Sequence, residues 1–340
     1  MTLAAPKRVE MSKRGASADG SLHRENVINA LFEGDCLSLL EQFPAHCVDL
    51  ILCDLPYGTT QNPWDSPISL TDLWTAYRRI LKPSGTVVLT AQGLFTARLM
   101  VSNEKWFRYK LVWEKSKPTN FLNARRQPLR KHEDICVFSP KQAAYFPQMG
   151  LGVPYDKGVR KNQLSGSYGD FLPARVRSEG QRFPTDVIYF KTAESEGQVW
   201  HPTQKPVALG QYLVRTYSRP GELVLDNAFG SGSFLVAALL EGRRFCGIEQ
   251  NDEAQLFKKA HIDYITLAAQ RLGQAWSCLS EAVQLEISAI QIYRKGEGPC
   301  TEKFSGQSKD CLKRAIVGDR INHRDDRRPL TDAPQMFAGF

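Results

Sequence analysis

The sequence predicts a doubly wound α/β domain, with helices on both faces of a mostly parallel, seven-stranded sheet, and three observations carry that reading. Short continuous apolar runs, VDLILC at 48–53 and GTVVLT at 85–90, alternate with stretches of helical periodicity such as 70–81. That alternation belongs to parallel βαβ units whose strands are covered on both sides. The rhythm breaks between about 140 and 200 and resumes at Glu222, so a later stretch completes a sheet begun earlier. At 224–233, VLDNAFGSGS sets a strand directly against a glycine turn and a helix start, the connection that doubly wound folds place at ligand-binding strand ends.

Taken in order, residues 1–26 form a Ser-, Ala- and Gly-rich basic arm without periodicity, read as flexible, and order begins near Val27. Residues 27–139 are the first half of the sheet, with strands at 27–32, 48–53 and 85–90. Two further strand-like runs, 109–113 and 134–138, flank a polar, basic loop. Residues 140–200, rich in Gly, Pro, Arg, Tyr and Phe with only a weak strand at 186–190, read as an insertion with its own surface role. Residues 201–276 supply the second half: strand 222–226, helix FLVAALLEG, strand RFCGIE and a long helix over 253–272. Residues 277–340 are an extension, helical to Ile292 and then loosely ordered.

The 340 residues suffice for one α/β core and a smaller module, and the net charge of +8 permits a polyanionic partner without requiring one. Neither a leader-type apolar segment nor a run of about 18 apolar residues occurs, so the expectation is a soluble, cytoplasmic protein. The eight cysteines are scattered singly with no Cys-x-x-Cys, which argues against a disulfide framework or a zinc site; Cys36, Cys47 and Cys53 read as core.

Gly230 and Gly232 stand where a turn passing close beneath a ligand needs residues without side chains. Asp226 ends the strand before the turn, and Glu249 ends the next strand, 17 residues after Gly232, where a carboxylate reaches ribose hydroxyls. The geometry suggests an adenosine-type cofactor. A plain tight turn would use the same glycines. A dinucleotide is disfavoured, because an apolar helix residue stands where Gly-x-Gly-x-x-Gly has its third glycine.

The strand 48–53 runs into Asp54-Leu55-Pro56-Tyr57-Gly58. An exocyclic amino group on a nucleobase is a poor nucleophile, because its lone pair is delocalised into the ring. Hydrogen bonds from that NH2 to acceptors return electron density to nitrogen. Asp54 supplies one acceptor and the neighbouring Leu55 carbonyl another, Pro56 fixes the backbone, and Tyr57 offers a face for an extruded base. The competing reading is a capping aspartate and a simple turn.

With these segments in hand, the chain resembles the amino-group DNA methyltransferases of the β motif order, particularly phage-type adenine methylases, from about Val27 to Leu272. The resemblance rests on DLPYGTTQNPWD (54–65), HPTQKP (201–206) and DNAFGSGS (226–233). It implies a Rossmann-like methyltransferase sheet of permuted strand order, S-adenosyl-L-methionine as cofactor, and target recognition by the 140–200 insertion. It also implies that Asp35 lies near the cofactor's adenine, and that Gln204 and Lys205 of HPTQKP close over the cofactor, which Phe229, Ser231 and Ser233 help to hold. Methyl transfer to N6 of a flipped adenine in double-stranded DNA would be direct, with no metal and no covalent enzyme intermediate. Cytosine N4 is the nearest alternative; RNA or protein-amide methylation and a silent DNA-binding subunit rank lower. Dimerisation is implied by analogy alone. Leu55 departs from the family's usual proline, and Ala228 from its usual phenylalanine, with Phe229 one residue later.

DNA contacts are expected from Trp113, Lys115, Lys117, Arg125, Arg126, Arg130 and Lys131, with Phe121 interleaved. The insertion adds Arg160, Lys161, Arg175, Arg177 and Arg182 beside Tyr155, Tyr168 and Phe171. A solvated loop that only confers solubility is the plain alternative.

Overall fold

The computed structural model describes residues 22–59, 65–159, 175–251, 256–257 and 260–304. The strands of its large sheet and the α-helices in chain order are β1 (Ala30–Glu33), α1 (Cys36–Leu40), β2 (Val48–Cys53), α2 (Leu70–Ile80), β3 (Leu81–Ala91), α3 (Leu94–Ser102), β4 (Phe107–Thr119) and β5 (Arg130–Phe138). There follow β6 (Val187–Phe190), α4 (Val207–Tyr217), β7 (Leu223–Asp226), α5 (Ser233–Leu240), β8 (Arg244–Glu249), α6 (Tyr264–Trp276), α7 (Glu281–Glu286), β9 (Ala289–Tyr293) and β10 (Cys300–Lys303).

These strands form one sheet in the order β6-β4-β5-β3-β2-β7-β8-β1-β9-β10. Pairing is parallel except where β5 meets β3 and β4, and where β10 meets β9. The seven strands anticipated from apolar runs are the contiguous centre of this sheet, from β4 to β1. Three more lie at its edges, of which β6 coincides with the weak strand read at 186–190. Ala289-Ile290-Gln291-Ile292 alternates with period two and pairs with β1, where the sequence reading expected helix. The long helix expected from Glu253 begins instead at Tyr264, where Asp263 accepts from the amides of Ile265 and Thr266.

Strand alternation builds two cores. Leu50 and Leu52 pack with α4, α5 and α6 on one face, while Ile51 and Cys53 pack with α1, α2 and α3 on the other. Asp49 ties the base of the sheet, taking Lys82 Nζ at 2.6 Å and the Leu223 amide at 3.0 Å. Order starts before Val27: Leu22 is buried and its amide donates to the Gln42 carbonyl.

Residues Met149–Pro184 make a separate compact unit, in which Tyr155–Val159 pairs antiparallel with Arg175–Ser178. Arg175 is paired with Asp156, Arg177 with Glu179, and Arg182 packs over Tyr155 and donates to the Val153 carbonyl. Arg175 and Arg177 make these pairs at the surface of the unit. Arg160, Lys161, Tyr168 and Phe171, most of the N-terminal arm and the tail after 304 lie outside the described residues.

A glycine in β8 lets the helix layer close on the sheet. A Cβ at Gly247 would lie 2.6 Å from both Leu235 Cδ1 and Phe229 Cδ1. We expect Gly247→Ala to cost about 1–3 kcal/mol through overpacking, read as a lower midpoint in urea unfolding with an unchanged slope.

Candidate active site

The ends of β2, β3, β7 and β8 open into one cavity of about 720 Å³, lined by Asp54–Tyr57, by 226–231 with Ser233, by Glu249 and Asp35, and by 201–205. Pairing of β2 with β7 sets Asp54 and Asp226 at adjoining strand ends, the position at which open α/β sheets bind ligands.

On the glycine side, Gly230 and Gly232 have φ of +50° and +77°, a region that side chains strain to enter. The Gly230 amide donates to Glu249 Oε2 at 2.7 Å, so the β8 carboxylate holds the turn. Arg271 of α6 braces it from behind, donating to the Ser231 carbonyl and to Ser233 Oγ. No sequence pattern had marked Arg271, because its partner is a backbone carbonyl. Phe229 is buried against β8. Asp35 caps α1, accepting from the Ser38 amide at 2.9 Å.

Burial pushes the Asp226 carboxyl up to about 8, with Asp54 and Glu249 adding to the effect against hydrogen bonds from Cys53 and the Ala228 amide. His201, in edge contact with Tyr264, is pushed down to about 4 by burial and is neutral at physiological pH. Its Nδ1 accepts from Thr203. Gln204 accepts from the Trp200 amide at 3.0 Å, which fixes the 200–204 turn.

The other side is charged. Asp54 accepts from Tyr57 Oη at 2.8 Å, from Thr90 Oγ1, and from Lys205 Nζ at 2.5 Å. Lys205 Nζ also lies 3.4 Å from Glu133 Oε2, and Lys115 Nζ lies 2.7 Å from Glu133 Oε1. Lys205 is buried; burial alone would lower its pKa, but Asp54 and Glu133 hold it above the ordinary lysine value. Glu133 is lowered in turn: burial opposes its charge, and Lys205 and Lys115 overcome that opposition. Removing one member of such a buried pair costs roughly 3–5 kcal/mol, because the other charge is stranded. Tyr57 stacks on Phe95 at 5.0 Å, and Lys205 Nζ sits 5.7 Å from its ring centroid. Asp65 secures the following loop, accepting from the Gly58 and Thr59 amides.

Most of the expected site residues thus meet in one place. Lys205 differs in partner: it is ion-paired with Asp54. Trp113 and Lys115, expected on a DNA-facing loop, are buried on β4, with Trp113 Nε1 donating to the Phe190 carbonyl. The strand runs on to Thr119 and turns both side chains inward. Lys117, Arg125, Arg126, Arg130 and Lys131 are exposed, as are Phe121 and Leu122. Thr90 and Glu133 were missed by sequence reasoning.

A doubly wound sheet that gathers a glycine turn, a strand-end carboxylate and an Asp-Leu-Pro-Tyr corner around one cavity defines a cofactor-binding α/β protein. Over residues 48–258, more than half its length, the chain matches the N6/N4 methyltransferase family of DNA methylases, and it belongs to that family. It is 25% identical to the type II methyltransferase M.HinfI of Haemophilus influenzae over 291 residues, covering 74% of this chain and 71% of that one. Among solved structures, the M1.HpyAVI–SAM complex aligns with a TM-score of 0.47 at 20% identity, covering 72% of this chain and 98% of that one. The cytosine-N4-specific PvuII DNA methyltransferase aligns at 0.45 and 16%, covering 73% and 93%. Among the described residues no helix is long and apolar enough to cross a membrane.

The Asp226 shift has a testable consequence. Below about pH 4 its carboxyl is protonated in both folded and unfolded chains; as pH rises, the unfolded carboxyl, at 3.8, ionises first. Stability from this group therefore falls between about 4 and 8, at up to roughly 1.4 kcal/mol per pH unit. Asp226→Asn removes that loss, so its melting temperature relative to the native chain should rise from pH 5 to pH 8. A difference that stays constant would refute the shift.

Proposed function

We propose that this chain transfers the methyl group of S-adenosyl-L-methionine to N6 of an adenine flipped out of double-stranded DNA. The observation that carries this reading is the single cavity shared by the Asp54–Tyr57 corner and the glycine turn. The residues fit such a cofactor. Gly230, at positive φ, lines the cavity while Gly232 faces Ala268 of α6, Glu249 ends the strand beside the turn, and Asn227 Nδ2 is a buried donor without a partner at the cavity wall. Glu249 would take the ribose hydroxyls, and Asp35, Asp226, Phe229 and Ser231 would enclose the rest. When bound, the cofactor supplies an electrophilic methyl on a sulfonium.

The chain's own groups prepare the nucleophile. Asp54 Oδ and the Leu55 carbonyl accept from the target NH2 and raise its electron density. Buried Leu55 and rigid Pro56 fix that carbonyl, and Tyr57, held by Phe95, presents a ring to the base. Asp at 54, where the resembling cytosine enzymes more often carry Ser, favours adenine. Exposed Lys117, Arg125, Arg126, Arg130 and Lys131 supply phosphate contacts, and flipping brings the base to the pocket.

The direct test is incubation with methyl-labelled S-adenosylmethionine and unmethylated genomic DNA, followed by mass spectrometry of the nucleosides. Label in N6-methyladenine is the expected result; label in N4-methylcytosine would overturn the choice of base. Asp54→Ala should abolish transfer while calorimetry still registers cofactor binding. Replacing Arg125 and Arg126 with Ala should reduce the slope of log K against log salt by about 1 per residue, whereas solvated residues without a phosphate contact would leave it unchanged.

A further inference from the structure

Lys205 stands on both groups that the target base needs. Its Nζ is 2.5 Å from Asp54 Oδ2 and 5.7 Å from the Tyr57 ring centroid, while Asp54 Oδ1 already accepts from Tyr57 and Thr90. A carboxylate offers about four acceptor positions. Tyr57, Thr90 and Lys205 take three of them, and the fourth lies on Oδ2 beside the lysine, so an arriving amino group must share that oxygen with Lys205 and meets it over the Tyr57 ring.

Lys205 cannot retreat into apolar surroundings, since a buried ammonium needs a counter-ion in every state. Glu133 Oε2 is 3.4 Å away, and the other Glu133 oxygen is fixed by Lys115 at 2.7 Å. Tyr57 Oη also reaches Glu133 Oε2, at 3.3 Å. Resting on the methylation reading above, we propose that Lys205 is handed from Asp54 to Glu133 when the target base enters. Glu133, on β5, is then a positioning residue. It keeps the lysine neutralised while the Asp54 carboxylate turns to the amino group. Lys115 holds Glu133 in place for the exchange.

The test is single-turnover methyl transfer to unmethylated genomic DNA at saturating cofactor. Glu133→Gln should slow transfer by about tenfold or more, with the cofactor Kd and the DNA concentration giving half-maximal rate within about twofold of the native values. In a Lys205→Met background the same Glu133→Gln change should add little, because there is no lysine left to receive. Losses that multiply, or a Glu133→Gln protein that transfers at the native rate, would overturn the handover. If Glu133→Gln fails to bind cofactor, Lys115→Met repeats the cycle with both carboxylates intact; it too should slow transfer, and only when Lys205 is present. A native protein that binds cofactor yet labels no DNA would instead overturn the methylation reading itself.

Discussion

Parallel pairing of β2 with β7, Val224 opposite Leu50 and Leu225 opposite Ile51, is the constraint on which the rest of the molecule depends. The two strands come from opposite ends of the fold's chain order, and their carboxyl ends carry Asp54 and Asp226. Without this pairing the base corner and the glycine turn would belong to different edges. Asp49 reinforces it by accepting the Leu223 amide beside its ion pair with Lys82. The entropy of closing a loop grows only slowly with its length. A long stretch, including the separate unit at Met149–Pro184, therefore fits between the two strands at modest cost.

The cavity is electrostatically divided. On the glycine side two titratable groups are pushed toward neutrality: Asp226 up to about 8, and His201 down to about 4. A neutral His201 adds no positive charge to the wall beside Gly230. On the base side, burial loses to pairing, and Lys205 and Glu133 are held charged against it. The ion-paired cluster of Lys205, Glu133 and Lys115 is thus confined to one wall, with Asp54 as its edge toward the glycine turn. That arrangement suits a reaction in which acceptors must be aimed in advance at a weakly basic amino group, since preorganised dipoles need no reorganisation when charge develops.

The sheet was legible because strands covered on both faces must be continuously apolar, and Val48–Cys53 or Leu223–Asp226 have no other reading at that length. Edge elements were less legible. Ala289–Tyr293 is only five residues long, and over so short a span periods of two and 3.6 overlap. On β4 the alternation itself was informative. Leu111, Trp113 and Lys115 are all buried at intervals of two, so extending the strand past Trp113 would have turned Lys115 inward. Its charge suggested a surface instead, and the compensating Glu133 lay on another strand, where no local pattern reveals it. Partners contributed across the sheet are invisible to motif reading, as Thr90 and Arg271 also show.

Both departures from the family pattern find their reasons in packing. Leu55 is buried among the residues of the α1–α3 face, so its side chain anchors the corner that a proline ring would otherwise stiffen, while Pro56 retains the fixed backbone angle. With Ala228 small, Phe229 takes the core position, and it fits because β8 has glycine at 247, where any Cβ would meet its ring at 2.6 Å. The shift of the aromatic by one residue and the bare backbone opposite it are complementary. The phenylalanine packs the turn onto the sheet, Gly230 faces the cavity at positive φ, and Gly232 lets the turn approach Ala268 of α6.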